Sequence, residues 1–212
     1  MRLWIIRHGD TKGNQAGILR GPSSAGDEIT DTGHEQARAM AGRISGGEPR
    51  PQAVYASRYR RAQQTARPLA EQLGVPVTVL PGVHEVDCGE WAGEPYSALR
   101  QHPERLELGG GALGFRGGET FREIAARFRA DVDGLPEQDA ALVSHGGIIR
   151  IALAVCWAWI SVRSGVVGNS CWGTRNGWRW NALMACGASF EEVVLIRGNK
   201  TVTIWINREY FH

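Results

Sequence analysis

The sequence predicts a three-layer α/β/α fold with a mostly parallel central sheet. Short apolar runs recur without polar alternation, which is typical of strands buried on both faces. Between these runs lie segments whose apolar residues recur at helical spacing. Two of the runs, 3–6 and 140–144, lead into a His-Gly pair. Strands that alternate with helices form parallel sheets, because each crossover helix covers one face.

The N-terminal elements are a strand, a loop and a helix. Residues 3–6 form the buried strand, and a polar, glycine-rich loop covers about 9–30. The stretch TGHEQARAMAGRI predicts a helix, because Thr32 and Glu35 have capping-box spacing. The predicted inner face of this helix consists of Ala37, Met40, Ala41 and Ile44.

A strand, a helix and an edge strand follow. The run AVYAS predicts a strand at 53–57, and Gly74 ends the next helix. The inner face of that helix consists of Ala62, Ala66, Leu69, Ala70 and Leu73. The run VPVTVL predicts a strand at 75–80, and Pro76 favours an edge position because proline has no amide hydrogen to donate.

The second half of the chain continues the alternation of helices and strands. The stretch at 109–118, GGGALGFRGG, predicts a flexible loop. The apolar face of the next helix consists of Phe121, Ile124, Ala125, Phe128 and Val132. AALVS predicts a strand at 140–144 that leads into an apolar helix from 147 to about 160. A β-hairpin around a Gly-Asn pair is predicted at about 193–207.

These elements indicate a single domain over residues 1–212 with one atypical segment. Residues 157–186 hold five of the eight tryptophans and show no clear period. Three roles stay open for this Trp-rich segment: a loop packed on the sheet, a homodimer surface, or an apolar wall for a substrate. Trp and Arg are both enriched at binding hot spots, which keeps the homodimer open.

Composition argues against several classes of protein. Lys and Arg number 24 against 22 for Asp and Glu, and the net charge of +2 gives no sign of a nucleic-acid partner. The longest apolar run, 151–160, is well short of the about 20 residues that a membrane span needs. We therefore expect a cytoplasmic protein with no membrane partner.

The cysteine pattern predicts no metal site. The four cysteines form no CxxC pair and have no histidine at ligand spacing; they are Cys88, Cys156, Cys171 and Cys186. A Cys171–Cys186 bridge is conceivable, but four cysteines also suit a reduced intracellular chain. We expect no metal ion and no cofactor.

Ionisable side chains collect at the predicted strand ends. Arg7 and His8 follow the first strand, SRYRR the second, HEVD the third and His145 the fourth. Ligands of parallel sheets bind at the carboxyl ends of the strands, so we expect these side chains to meet. Guanidinium groups match phosphate oxygens with paired hydrogen bonds. The sequence therefore predicts a phosphate pocket.

The two histidines suggest a reaction for that phosphate. An imidazole has an unperturbed pKa near about 6.5, so at neutral pH its free nitrogen is a nucleophile without a further base. Attack on phosphorus forms a phosphohistidine and divides one hard displacement into two easier ones. Arginines would offset the charge on the phosphoryl oxygens. A carboxylic acid would protonate the leaving alcohol and then deprotonate water.

Four stretches of this chain resemble the signature motifs of the histidine phosphatase (phosphoglycerate mutase-like) superfamily, in the same order. They are RHGDT with Asn14, SRYRRAQQTA, EVDCGEW and SHGG, and the likeness covers roughly residues 1–155. ITDTGHEQA and GGETF are also similar to that family. The resemblance implies a phosphoglycerate mutase-like fold and a phosphatase that needs no metal.

The resemblance also implies roles for individual residues. His8 is similar to the phosphorylated nucleophile, and Arg7 and Arg61 to the arginines that bind phosphate. His145 resembles the second histidine of the family, and Glu85 resembles the proton donor. The other substrate-binding residues that the resemblance implies are Asn14, Gly21 and Thr30.

Some choices stay open on the sequence alone. Periodicity does not select Glu85 over Asp87 and Glu90. Asp10 stands where the family usually has Glu or Gln, and Gly13 where an aromatic residue is common, which leaves the substrate undefined.

The predicted function is hydrolysis of a small phosphorylated metabolite through a phosphohistidine. A phosphoglycerate-type mutase and a non-catalytic phosphate-binding scaffold are the alternatives. Mutases that this chain resembles carry an insertion after the Glu motif, whereas here only residues 86–116 separate Glu85 from GGETF. A scaffold needs no proton donor, so Glu85 favours an enzyme.

Overall fold

The computed structural model describes residues 1–152 and, after them, the strands at 178–179, 185–187, 190–197 and 200–207. The strands are β1 (Arg2–Arg7), β2 (Ala53–Ser57), β3 (Val77–Leu80), β4 (Glu107–Gly109), β5 (Ala112–Leu113), β6 (Ala140–Ser144), β7 (Trp178–Arg179), β8 (Ala185–Gly187), β9 (Phe190–Arg197) and β10 (Lys200–Asn207). The helices are α1 (Lys12–Ala16), α2 (Asp31–Ser45), α3 (Arg60–Leu73), α4 (Ala98–Gln101), α5 (Phe121–Asp133) and α6, which begins at residue 146 and is described to 152. Short 3-10 turns lie at Gly21–Ser24, Gly89–Trp91 and Pro103–Leu106.

The central sheet has the strand order β3-β2-β6-β1-β10-β9-β7, with β8 paired to β9. The strands from β3 to β10 in this order run parallel, and β9 pairs antiparallel with β10. The predicted mostly parallel sheet is confirmed, and β3 has the predicted edge position. Its parallel strands place their carboxyl ends at one edge, where ligands of such sheets bind.

Two apolar cores cover the two faces of the sheet. Trp4 and Ile6 of β1 belong to the core formed with α2 and α3. Leu3 and Ile5 belong to the other core, which contains residues of α5 and α6. Alternate residues of a strand point to opposite faces, so β1 is buried on both sides. This burial produces the three layers and explains why β1 shows no polar alternation in sequence.

The residue that caps the N-terminus of α2 differs from the predicted one. The side chain of Thr30, rather than that of Thr32, accepts a hydrogen bond from the Gly33 amide at 3.1 Å. Thr30 also donates to the Asp10 carboxylate at 2.9 Å, so a contact with the loop after β1 decides where the helix begins. The predicted capping box of Thr32 and Glu35 is therefore wrong. The predicted inner face of α2 is buried.

The segment predicted as a flexible loop, 109–118, contains part of a short hairpin. Strands β4 and β5 pair antiparallel there. Gly109, Gly110 and Gly111 have φ values of 90°, 60° and 77°, a left-handed backbone that other residues rarely adopt. Three glycines in succession thus close the turn of the hairpin, whereas residues 114–118 lie outside both strands, as the predicted loop would have it.

A close approach at Gly33 packs α2 against the loop that follows β1. A Cβ atom at Gly33 would lie against the Asp10 carbonyl oxygen and 2.8 Å from the Ile29 Cβ atom. We expect Gly33→Ala to lower the free energy of unfolding by about 1–3 kcal/mol, the usual cost of overpacking. Urea denaturation measures this change.

Gly42→Ala is the matched control in the same helix. A Cβ atom at Gly42 would meet nothing within 4 Å. Alanine at this exposed helical position should raise the free energy of unfolding by about 0.5–1 kcal/mol. Equal stability of the two variants would contradict the close approach at Gly33.

Candidate active site

The carboxyl ends of β1 and β6 bring the two predicted histidines together. The strands pair Arg7 with Ser144, and the His8 amide donates to the Ser144 carbonyl at 3.0 Å. The imidazole rings of His8 and His145 meet edge to face with their centroids 5.1 Å apart. Both side chains are buried. Two residues from distant parts of the chain therefore share one position at the edge of the sheet.

The hydrogen bonds of His8 determine which ring nitrogen holds the proton. Its Nδ1 lies 2.7 Å from the Gly9 carbonyl oxygen, which can only accept, so Nδ1 carries the hydrogen. Nε2 then presents a lone pair and accepts a hydrogen bond from Arg61 Nε at 3.1 Å. Burial, followed by the charges of Arg61 and Arg7, holds the pKa of His8 well below 6.5. His8 is thus a neutral imidazole at neutral pH.

Arg61 is held from two sides. Its Nη1 donates to the Ser24 carbonyl at 2.6 Å. Thr65, one turn further along α3, donates to the Arg61 carbonyl at 2.7 Å and accepts from the Gly9 amide at 3.0 Å. The Thr65 hydroxyl therefore couples the segment that carries His8 to the helix that carries Arg61.

His145 is oriented by Ser57 at the end of β2. Its Nε2 lies 2.7 Å from Ser57 Oγ, which also accepts from the Tyr59 amide at 3.2 Å. Its Nδ1 is buried and has no hydrogen-bond partner among the described residues. Burial and the neighbouring His8 lower the pKa of His145 well below 6.5, so this ring is also neutral. With Nε2 engaged, Nδ1 is the nitrogen left for a ligand.

Three backbone amides hold the Glu85 carboxylate: that of the next residue, Val86, and those of Gly147 and Ile148 at the start of α6. Its Oε1 accepts from the Val86 and Ile148 amides at 3.0 and 3.1 Å. Its Oε2 accepts from the Gly147 amide at 3.4 Å. A helix N-terminus stabilises negative charge, which explains this placement. The sequence left three candidates for the proton donor: Glu85, Asp87 and Glu90. Of these three, only Glu85 lines the cavity next to His8.

These side chains open into a cavity of about 480 Å³. The predicted site residues that line it are Arg7, His8, Asn14, Gly21, Arg61 and Glu85. His145 packs against His8 and is not part of the lining. Thr30 is not part of the lining either, because its side chain caps α2 and binds Asp10. The structure therefore gives Thr30 a helix-capping role, and its predicted substrate contact stays a prediction.

Several residues that build this site carry no specific signal in the sequence. Ser57 and Thr65 lie inside the quoted motif SRYRRAQQTA, but a single hydroxyl has no spacing that reveals its partner. Tyr96 lines the cavity, and its hydroxyl lies 3.5 Å from Asn14 Nδ2. Arg60 from the same motif is exposed and pairs with Glu28 outside the cavity.

The remaining predictions concern metals, cysteines and membranes. Within residues 1–152 and the four later strands, no group of three or more His, Cys, Asp or Glu side chains is placed to hold a metal ion. Cys88 is buried and free, and burial raises the pKa of its thiol to about 11. No described helix is long and apolar enough to cross a membrane. The Cys171–Cys186 bridge and the homodimer contact of the Trp-rich segment lie outside what the structure describes and stay predictions.

Two buried neutral histidines make the stability of the fold depend on pH. In the unfolded chain both rings gain a proton near about pH 6.5, whereas in the fold their lowered pKa values keep them neutral. The unfolded state then binds more protons. We therefore expect the free energy of unfolding to fall from about pH 7.5 to about pH 5.5, by up to about 1.4 kcal/mol per pH unit for each histidine.

Urea denaturation across this pH range measures the dependence. His8→Ala should reduce the slope, because the contribution of one of the two buried rings is lost. His102→Ala is the control for the loss of a histidine side chain at an exposed position. A slope that His8→Ala does not reduce would contradict the burial of neutral His8.

A parallel α/β sheet with a histidine–arginine pocket at its carboxyl edge defines a phosphate-handling enzyme. The family model of the histidine phosphatase superfamily (branch 1) matches residues 3–160. The chain belongs to that superfamily, as the sequence motifs predicted.

Two relatives and one solved structure agree with membership of this superfamily. The chain is 29% identical over 216 residues to glucosyl-3-phosphoglycerate phosphatase of Mycobacterium tuberculosis, which covers 91% of this chain and 90% of the relative. It is 31% identical over 162 residues to the metal-independent phosphoserine phosphatase of Arabidopsis thaliana, which covers 69% of this chain and 64% of the relative. The crystal structure of phosphoserine phosphatase from Entamoeba histolytica in complex with 3-phosphoglyceric acid matches with a TM-score of 0.61 and 25% identity, over 74% of this chain and 81% of the other.

Proposed function

We propose that this chain hydrolyses phosphomonoesters of small metabolites through a phosphohistidine on His8, without a metal ion. The observation that carries this proposal is the pair of hydrogen bonds on the His8 ring. Nδ1 donates to the Gly9 carbonyl, so the lone pair on Nε2 lies beside the Arg61 guanidinium. A neutral imidazole next to an arginine is a nucleophile placed where phosphoryl oxygens would bind.

The first step transfers the phosphoryl group to the enzyme. When the phosphoryl group binds, Arg61 donates to its oxygens and releases the hydrogen bond to His8 Nε2. The freed lone pair of Nε2 forms a bond to phosphorus while the ester P–O bond breaks, and Glu85 gives a proton to the leaving alcohol. Arg7 and Arg61 offset the negative charge on the phosphoryl oxygens. His145 does not line the empty cavity but packs against the His8 ring, so a phosphoryl group bonded to His8 brings an oxygen near it. His145 Nδ1, which has no partner among the described residues, donates to this oxygen in the tautomer whose Nε2 accepts from the Ser57 hydroxyl.

The second step releases inorganic phosphate. The Glu85 carboxylate takes a proton from a water molecule, and the water oxygen bonds to phosphorus as the P–N bond breaks. His8 returns to its neutral form and Glu85 is again protonated. Both steps use the same carboxyl group, whose position is held by the backbone amides of Val86, Gly147 and Ile148.

Arginine side chains can neutralise the charge of the phosphoryl oxygens, which is the role that a metal ion would otherwise have. This supports a reaction without a metal ion. Arg7 and Arg61 both line the cavity beside His8, and the Arabidopsis relative is named metal-independent. We expect phosphate release from a panel of phosphorylated metabolites to continue at an unchanged rate after dialysis against a chelator. A loss of activity that divalent cations restore would contradict this expectation.

The two alternative functions, a phosphoglycerate-type mutase and a phosphate-binding scaffold, are tested with the same panel of metabolites. A mutase would interconvert phosphoglycerates in a coupled assay, and we expect no interconversion. The segment between Glu85 and α5 forms only short turns, α4 and the β4–β5 hairpin, which supports an open hydrolytic site. A wild-type protein that binds phosphate esters without releasing phosphate would indicate a scaffold.

A further inference from the structure

Beyond His8, one side of the cavity is apolar. Half-buried apolar side chains from five separate segments line it, and we call them the apolar wall: Leu19, Leu99, Leu106, Phe121 and Ile151. They pack on the core that contains residues of α5 and α6. Phe115, which is buried, supports the wall because its ring meets that of Phe121 at 5.6 Å.

The cavity is much larger than a phosphate group. Its volume of about 480 Å³ compares with about 30 Å³ for one water molecule in the liquid. The phosphoryl end of a substrate needs only the floor formed by Arg7, His8 and Arg61. Most of the remaining space lies against apolar surface. Binding of an apolar ligand removes this surface from water, which lowers the free energy of the complex.

The cations above the floor offer little to a polar substrate. Arg20 is already paired with Asp27 at 3.2 Å. Arg100 and Arg150 line the cavity but are exposed, and ion pairs in water contribute little. Apolar surface therefore makes up most of the described lining of the cavity.

We propose that this pocket selects phosphomonoesters whose alcohol part is an extended alkyl or aryl group, in preference to phosphorylated amino acids and phosphoglycerates. This substrate selection rests on the proposed function in one respect: the proposed function places the phosphoryl group of the substrate at His8. The apolar wall contacts the alcohol part. Binding energy from this contact, which lies away from the reacting atoms, raises kcat/KM for apolar substrates.

Alkylphosphonates test the selection without turnover, because their carbon–phosphorus bond is not hydrolysed. Titration calorimetry of ethyl-, butyl- and hexylphosphonate gives the dissociation constants. Each methylene that reaches the apolar wall should tighten binding about fourfold. Equal dissociation constants across the series would overturn the proposal. Tighter binding of phosphoserine than of hexylphosphonate to His8→Ala, in which phosphoserine is not hydrolysed, would also overturn it.

Leu106→Gln and Leu99→Gln each introduce a polar side chain of similar size into the wall. Either variant should weaken the gain per methylene and keep ethylphosphonate binding within about twofold of the wild type. Leu113→Gln is the matched control, because Leu113 is 48% exposed and is not part of the cavity lining. Circular dichroism shows whether each variant folds. The two wall positions lie in separate segments, so if one variant does not fold, the other still provides the test. A folded wall variant with the wild-type dependence on chain length would overturn the proposal.

Hydrolysis of ethyl and hexyl phosphate separates this proposal from the proposed function. The two alcohols are nearly equal as leaving groups, so chain length changes only the contact with the wall. Equal kcat/KM for the two esters overturns the apolar selection and leaves the phosphatase mechanism standing. Tight binding of hexylphosphonate without hydrolysis of any phosphomonoester overturns the mechanism and supports the selection.

Discussion

His8→Ala is expected to remove phosphomonoester hydrolysis almost completely. The substitution deletes the nitrogen that attacks phosphorus, and loss of a nucleophile lowers kcat by roughly 10⁵- to 10⁶-fold. Arg7, Arg61 and Glu85 stay in place, but none of them replaces the imidazole as nucleophile. Release of inorganic phosphate from an alkyl phosphate and from p-nitrophenyl phosphate measures the loss.

His102→Ala is the matched control for His8→Ala. The His102 side chain is exposed and does not line the cavity, so its removal should leave kcat unchanged. Thermal denaturation of both variants at neutral pH distinguishes lost chemistry from lost structure. A folded His8→Ala protein that keeps activity within about a hundredfold of the wild type would contradict nucleophilic catalysis by His8.

Glu85→Gln is expected to lower kcat/KM for an alkyl phosphate by roughly 10²- to 10⁴-fold, the usual contribution of general acid catalysis. Glutamine keeps an oxygen that can accept from the Val86 and Ile148 amides, but its amide does not protonate the leaving alcohol. The kcat/KM for p-nitrophenyl phosphate should fall much less, because nitrophenolate leaves without a proton. Steady-state kinetics with both substrates measure the difference.

Asp87→Asn is the control among the neighbouring carboxylates. Asp87 accepts from the Gly89 amide at 3.0 Å and does not line the cavity. Its substitution should leave the ratio of kcat/KM values for the two substrates as in the wild type. Equal losses for both substrates in Glu85→Gln would show that Glu85 is not the proton donor.

The sequence was sufficient for the fold where burial alone controls it. Strands β2 and β6 have the predicted bounds, because an apolar run buried on both faces is unambiguous. The start of α2 was not predictable in this way. Thr30 and Thr32 both satisfy local capping rules, and only the contact of Thr30 with Asp10 selects the first of them. That contact depends on the folded loop after β1.

The candidate site was predictable to the same extent. Arg7, His8 and His145 were expected to meet because parallel strands place their carboxyl ends at one edge. The hydroxyls of Ser57 and Thr65 were missed, since each acts through one hydrogen bond that no sequence period marks. The apolar wall was also missed, because its five side chains come from segments that only the folded chain brings together.

Identification of the phosphorylated atom tests the phosphohistidine mechanism most directly. Wild type, Glu85→Gln and His8→Ala are mixed with p-nitrophenyl phosphate labelled at phosphorus, denatured in alkali and mapped by mass spectrometry. We predict label on Nε2 of His8, stable in base and lost in acid, because Nδ1 is engaged by the Gly9 carbonyl. His8→Ala should carry none. Label on Nδ1 or on another residue, or turnover with no label on His8, would contradict the mechanism.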